Sequence, residues 1–285
     1  MVGDFRRYDR RTVEASRSVL VEVFSLLQRE GGHCVLVGGW APFFLVERYK
    51  PTDVEFSHVG SVDIDIALDR ERIPGLERVY ESIRQRLERA GYRPRLARDG
   101  RTLPFSWERE AGGASIHVDF LAPEAGGTGA THRHQRVQDL MAFKTRGCEV
   151  AFQNNEAFEV EAVMPSRARH KVSVPVARPA AVLTMKALAF SDDPSRLKDA
   201  YDICSVLRYY KSGPASVAGE VRPFLQLAVL REAVDRLATL FAATDSVGPV
   251  GFANFRLPEQ PDSEDWDLER RISFEAVQRF LGELR

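Results

Sequence analysis

Two carboxylates, Asp63 and Asp65, share one face of Gly60-Ser61-Val62-Asp63-Ile64-Asp65-Ile66-Ala67-Leu68, a stretch that reads as a strand. At strand period Val62, Ile64, Ile66 and Leu68 point one way, and Ser61, Asp63 and Asp65 the other. Like charges at that spacing repel, and no residue of the stretch neutralises them. A divalent cation is the simplest physical remedy. Magnesium suits the pair, because it takes hard oxygen ligands and keeps positions open for phosphate oxygens. A second strand with an acidic face follows at Ser115–Leu121, where His117 and Asp119 oppose Ile116, Val118 and Phe120. A solvated edge strand would show the same alternation, so the surrounding residues have to decide.

Three further groups bear on that decision. Gly38-Gly39 end the apolar run of the preceding strand and open a helix, a place where backbone N–H groups can approach an anion. Lys186 has Val182 and Leu183 one turn back and Ala189 and Phe190 one turn on. It projects from an apolar face, where an amine needs a partner or must snorkel to water. Asp199 and Asp202 lie on one helix face with Lys198 within reach of Asp202, a spacing that exposed ion pairs also show. Together these residues specify nucleotidyl transfer. Asp63, Asp65 and Asp119 would surround metal ions that polarise the α-phosphate, activate an attacking hydroxyl and stabilise the leaving pyrophosphate. Gly38, Gly39 and Ser61 would cradle the triphosphate, Lys186 would neutralise its charge, and Asp199 or Asp202 would orient that lysine. Such chemistry asks mainly for positioning and charge stabilisation.

The chain that must position these groups has 285 residues, 44% of them hydrophobic and 28% charged, as in a globular protein with a sizeable core. No apolar run is long enough to cross a membrane, and the basic Arg6–Arg11 segment lacks the apolar stretch of a signal peptide. Cys34, Cys148 and Cys204 are scattered, which points to a reducing cytoplasm rather than a disulfide or zinc framework. Net charge is −1, so an anionic partner needs a local basic patch. Residues 165–211 carry nine Lys or Arg against four acids, an excess of five positive charges.

Periodicity predicts helices over 12–30 (closed by Gly31-Gly32), Trp40–Tyr49 and Pro74–Ala90, and strands at His33–Val37, Arg93–Ala97 and Thr102–Trp107. Further strands are expected at Glu149–Phe152, Ala157–Met164 and His170–Val174, after a Gly-rich loop at Ala125–Gly129 and a surface His132-x-His134. From Pro179 the pattern turns helical: Pro179–Phe190, Ser195–Tyr210, Val217–Leu230, Arg231–Ala243 and Glu264–Leu284, with Gly248-Pro249 in a loop. The expected architecture is α/β (α+β), a mixed-sheet domain over residues 1–178 followed by an all-helical domain over 179–285.

Gly38-Gly39, then Gly60-Ser61-Val62-Asp63-Ile64-Asp65, then Asp119, resemble the nucleotidyltransferase superfamily that includes DNA polymerase β. Val172-x-Val174, Leu183-Thr184-Met185-Lys186 and Lys198-Asp199-x-x-Asp202-Ile203 narrow the likeness to nucleotidyltransferase toxins of bacterial type IV toxin–antitoxin systems, the AbiEii and MenT group. The resemblance spans roughly residues 33–210. It implies two lobes with the site between them, Asp63 and Asp65 as magnesium ligands, Lys186 as the nucleotide-site lysine, and Lys198, Asp199 and Asp202 as essential polar support there. It also implies NTP substrates (CTP above all), transfer to the 3′ acceptor end of tRNA with a block of translation, and a cognate antitoxin protein. A helix and loop must be inserted between Gly39 and Asp63. Two other readings use the same scaffold: an aminoglycoside-type small-molecule nucleotidyltransferase, which the basic stretch disfavours, and a non-catalytic nucleic-acid-binding or antitoxin-like protein, which the long helical part and the retained Asp63 and Asp65 disfavour.

Overall fold

The computed structural model describes residues 8–75, 81–124 and 133–285. Two compact units emerge, and they do not follow a single cut in the chain. One comprises Asp9–Trp40 and Ser61–Ala177; the other comprises Ala41–Gly60 and Arg178–Arg285, joined by Tyr8. The segment Ala41–Gly60, expected within the first domain, thus groups with the helical residues.

The sheet unit opens with α1 (Arg10–Leu26), capped by the Asp9 carboxylate, which accepts from the Arg11 and Thr12 N–H groups. Val19, Leu20, Val23 and Phe24 recur at helical spacing and are buried. A 3-10 turn at Gln28–His33 follows, where the predicted helix had been extended too far. The sheet has nine strands among the described residues: β1 (Cys34–Val37), β2 (Ile64–Leu68), β3 (Arg93–Leu96), β4 (Thr102–Ala111), β5 (Ala114–Pro123), β6 (His134–Val137), β7 (Leu140–Thr145), β8 (Asn155–Val163) and β9 (Arg169–Ala177). Their order is β3-β4-β5-β2-β1-β9-β8, and β7 pairs with β5 and carries β6. β2 lies parallel to β5 in the register Ile64↔Val118, Asp65↔Asp119, Ile66↔Phe120. Ile64, Ile66, Val118 and Phe120 are fully buried, so the apolar halves of both alternating patterns form the core as expected.

In the helical unit α2 (Trp40–Tyr49), all but its first residue, groups with α5 (Pro179–Asp192), α6 (Leu197–Tyr209), α7 (Pro214–Val221), α8 (Ala228–Leu240), α9 (Val247–Arg256) and α10 (Glu264–Leu284). Helix α5 packs on α6 and α8, and α10 on α9 and α7.

Several expectations require correction. Glu149–Phe152 is not a strand but part of α4 (Cys148–Gln153); a four-residue apolar run cannot separate the two by period, and Gly147 at φ +78° breaks the chain after β7. The predicted helix at Pro74–Ala90 is seen only as α3 (Ile83–Arg89), started by a capping box between Ser82 and Gln85; residues 76–80 of that prediction lie outside the described residues. Ala125–Gly129 and His132 also lie outside them, while His134 begins β6. Pro223, which lacks an N–H, sits in a 3-10 turn that separates α7 from α8 inside the predicted Val217–Leu230 helix. Gly248-Pro249, read as a loop, lies in the first turn of α9, where no intrahelical N–H is required of Pro249.

Gly248 is there for packing. A Cβ at that position would come within 2.6 Å of the Phe241 ring. Gly248→Ala is expected to lower stability by about 1–3 kcal/mol through overpacking, read as an earlier midpoint in urea; an unchanged midpoint would show that Phe241 yields freely.

Candidate active site

The strand register builds two rows across the acidic face of the sheet unit. In the first, Ser106 of β4, Asp119 of β5 and Asp65 of β2 are successive register partners. Register partners point to the same face, and neighbouring strands are about 5 Å apart. In the second, Glu108 pairs with His117, and Asp63, one step before β2, extends the row. His117 Nδ1 lies 3.1 Å from Asp63 Oδ1; a carboxylate only accepts, so this ring nitrogen carries the hydrogen. The Ser106 hydroxyl donates to Asp119.

Burial raises the Asp119 carboxyl above its ordinary value; the Ser106 hydrogen bond offsets part of this, and the Asp63 charge adds to it. The acidic face therefore holds electrostatic repulsion that a cation would relieve. Its donors are oxygen atoms, which fit magnesium. The expected three-carboxylate centre is nevertheless not assembled: among the described residues no group of three or more His, Cys, Asp or Glu side chains is arranged to hold a metal ion. Asp119 is turned to Ser106, and Asp63 to His117.

Gly38 gains a definite role from this geometry. Val37 is the β1 partner of Asp65, and Gly38 follows at φ +65°. A Cβ there would sit 2.7 Å from Cγ and 2.9 Å from Cβ of Asp65. Gly39, buried beside it, has no such constraint in its φ. The Ser61 hydroxyl is spent locally, donating to the Asp63 carbonyl at 3.0 Å, and its side chain is buried.

The helical unit holds a second cluster. Lys186 projects from the apolar face of α5, as its spacing requires, and it is buried. Its Nζ lies 2.6 Å from Asp199 Oδ1 and 2.8 Å from Asp202 Oδ2. Arg196 Nε donates to Asp199 Oδ2 at 2.6 Å, and Lys198 Nζ to Asp202 Oδ1 at 2.6 Å. Neither aspartate belongs to an exposed ion-pair row; both are buried. Burial opposes the charged form of Lys186, but Asp199 and Asp202 outweigh it and hold the ammonium well above its ordinary value. For Asp202, burial is likewise outweighed, by Lys186, Lys198 and His58, and its carboxyl is held low. Lys198, with one carboxylate to Lys186's two, is shifted down by burial.

Sequence reasoning passed over His58. The Gly60 N–H donates to His58 Nδ1 at 3.1 Å, so Nε2 carries the hydrogen and donates to Asp202 Oδ1 at 3.1 Å. Both ring nitrogens are assigned, and the imidazole is neutral: burial lowers its pKa to about 4. Beside it the Val59 N–H donates to Tyr201 Oη at 3.1 Å. No local motif announces His58, because its partner is 144 positions away. His117 could have been found from its strand period with Asp119; Ser106 and Glu108 needed the β4–β5 register.

The basic stretch also reads differently in three dimensions. Lys171 pairs with Glu159, Arg169 with Glu161, Arg178 and Lys211 with Glu220, and Arg208 with Glu269. Lys186, Lys198 and Arg196 are in the cluster already described. Acids from other strands and helices, Glu159, Glu161, Glu220 and Glu269, thus answer much of the local excess of five. The three cysteines are buried free thiols that burial pushes up, unsuited to nucleophilic work.

A scan against protein families decides the affiliation: the model described as "Nucleotidyl transferase AbiEii toxin, Type IV TA system" matches residues 26–269. The chain belongs to the AbiEii nucleotidyl transferase toxin family. The match takes in both clusters, so the sheet unit's carboxylates and the helical unit's ion-pair network are parts of one AbiEii chain. No curated protein and no solved structure matches it. No helix of the described residues is long and apolar enough to cross a membrane.

Two outcomes follow. Above pH 6.5 His58 is neutral in folded and unfolded chains alike, and its contribution to stability is complete. As pH falls from 6.5 to about 4 the unfolded chain takes up a proton that the folded protein refuses, and stability should drop by up to about 3 kcal/mol. His58→Gln, which keeps a donor toward Asp202, should flatten that decline in urea titrations at pH 7 and pH 5; an unchanged decline would assign it elsewhere. Lys186→Met leaves two buried carboxylates short of a cation and should cost about 3–5 kcal/mol, so its activity must be judged on the folded fraction, measured by circular dichroism.

Proposed function

We propose that this AbiEii-family protein transfers a nucleoside monophosphate from an NTP, CTP above all, to the 3′ acceptor end of tRNA, and that the resulting block of translation is countered by a cognate antitoxin. The observation that carries the reading is the parallel register that sets Asp65 of β2 beside Asp119 of β5 on one face of the sheet, with Asp63 one step before β2. Membership of a family of nucleotidyl transferase toxins supports it.

In this reading Asp63 and Asp65 hold magnesium, with Asp119 beside them. The bound ion would polarise the α-phosphate and stabilise the departing pyrophosphate. His117 fixes the Asp63 carboxylate through its Nδ1–H, and Ser106 fixes Asp119. Gly38 keeps the backbone clear of Asp65, so the carboxylate retains its orientation. From the helical unit the reading takes Lys186 and Lys198 as cations for the triphosphate, held by Asp199 and Asp202, with Asp202 steadied by neutral His58. Positioned charge of this kind is the main requirement of phosphoryl-group chemistry.

Incubation of the protein with total RNA, magnesium and each labelled NTP in turn tests the whole reading. Labelled tRNA is expected with CTP, and Asp63→Ala should abolish it without unfolding the protein, since that side chain is half exposed. Label on no RNA, or full labelling by the variant, would reject it; label on an aminoglycoside instead would establish the small-molecule enzyme. Gly38→Ala should lower transfer at least tenfold by displacing the Asp65 carboxylate, and wild-type rates would show that Asp65 need not hold its position.

A further inference from the structure

A second basic feature lies in the sheet unit, apart from the acidic rows. A surface recess of about 250 Å³ is lined by Arg70, His134, Gln135, Arg136 and Lys144. None of these five is an acid. Arg70 follows β2, His134 to Arg136 belong to edge strand β6, and Lys144 belongs to β7. No described carboxylate forms an ion pair with Arg70 or Arg136; Arg136 Nε donates to the Gln138 carbonyl, at 2.9 Å. This contrasts with residues 169–211, where cation after cation has been given a carboxylate.

The recess borders an aromatic cluster. The exposed His134 ring stacks on Phe105, with centroids 5.5 Å apart and planes at 23°. Phe143 packs against both, at 5.0 Å from Phe105 and 5.9 Å from His134. Two guanidiniums that no described carboxylate pairs with suit phosphate oxygens, which they can grip with paired N–H groups. A flat ring held rigid from beneath suits the face of an unstacked base. A free phosphate would need only the cations, and a duplex would offer its backbone but no open base.

We propose that this recess is a docking site for single-stranded RNA, with Arg70 and Arg136 on successive phosphates and the His134–Phe105 stack under a base. The choice of RNA over other single strands rests on the RNA acceptor of the function proposed above. The site would hold the acceptor strand outside the chemical centre, so that affinity for RNA and nucleotide transfer are separable properties of the chain.

The test is fluorescence anisotropy of a labelled single-stranded RNA oligonucleotide over a series of salt concentrations, in EDTA and without NTP. For single strands each phosphate contact contributes about 0.7 to the slope of log affinity against log salt. The double variant Arg70→Gln/Arg136→Gln is expected to lose about 1.4 from that slope and to bind roughly ten- to thirtyfold more weakly at 0.1 M salt. His134→Ala should weaken binding severalfold while leaving the slope intact, the mark of lost stacking rather than lost charge. An unchanged slope in the double variant, or a wild-type protein that binds duplex RNA as well as single strands, overturns the proposal. Metal and nucleotide are absent, so this result is independent of the transfer reaction: a changed slope without transfer would leave the docking site standing and reject the catalytic reading, and the reverse result would do the opposite.

Discussion

The parallel pairing of β2 with β5 is the constraint on which the rest depends. It sets Asp65 beside Asp119, an arrangement that two carboxylates resist. Unit charges at the spacing of neighbouring strands, about 5 Å, repel by about 3 kcal/mol at an effective dielectric near 20. The other faces of the same strands bury Ile64, Ile66, Val118 and Phe120 completely, each contributing about 1.5–3 kcal/mol. The core wins, and a one-residue slip that would separate the carboxylates would also turn all four apolar side chains outward. Hydrophobic burial thus maintains an electrostatic tension on the opposite face.

The two charged clusters are built on opposite plans. In the helical unit Lys186, Lys198 and Arg196 answer Asp199 and Asp202 within hydrogen-bonding distance, and neutral His58 fills a remaining acceptor position. That network sets each buried carboxylate against two cations, which is how buried ions are tolerated. On the sheet Asp63 takes a hydrogen bond from His117 and Asp119 one from Ser106. The helical cluster sets carboxylates against cations; on the sheet Asp63 and Asp119 meet a ring N–H and a hydroxyl. His58 and Val59 are tied to α6, and the Gly60 N–H is tied to His58.

Much of the fold was legible in the sequence because its strands and helices alternate cleanly. The Asp63 and Asp119 strands, α2, α5 and α10 could be read from period alone. What escaped notice depended on tertiary partners. Glu149–Phe152 is too short for its period to choose helix over strand, and Pro249 is a breaker only where its missing N–H would be needed. Lys186 was visible as an oddity in an apolar stripe, yet its partners across α6 made it a buried ion pair rather than an open cation. The charge excess of residues 165–211 shrinks for the same kind of reason: Glu220 and Glu269 lie outside that stretch of sequence. His58 carried no signal at all until the chain was folded.

The central claim is that the acidic face is held in repulsion for a divalent cation to relieve. Thermal unfolding of wild type and Asp119→Asn, followed over increasing magnesium chloride at constant ionic strength, tests it most directly. Binding to the folded state alone should raise the wild-type Tm steadily with magnesium, while the variant, relieved of one charge, should start at least as high and respond less. A wild-type Tm indifferent to magnesium, or an equal response in both proteins, would contradict the account.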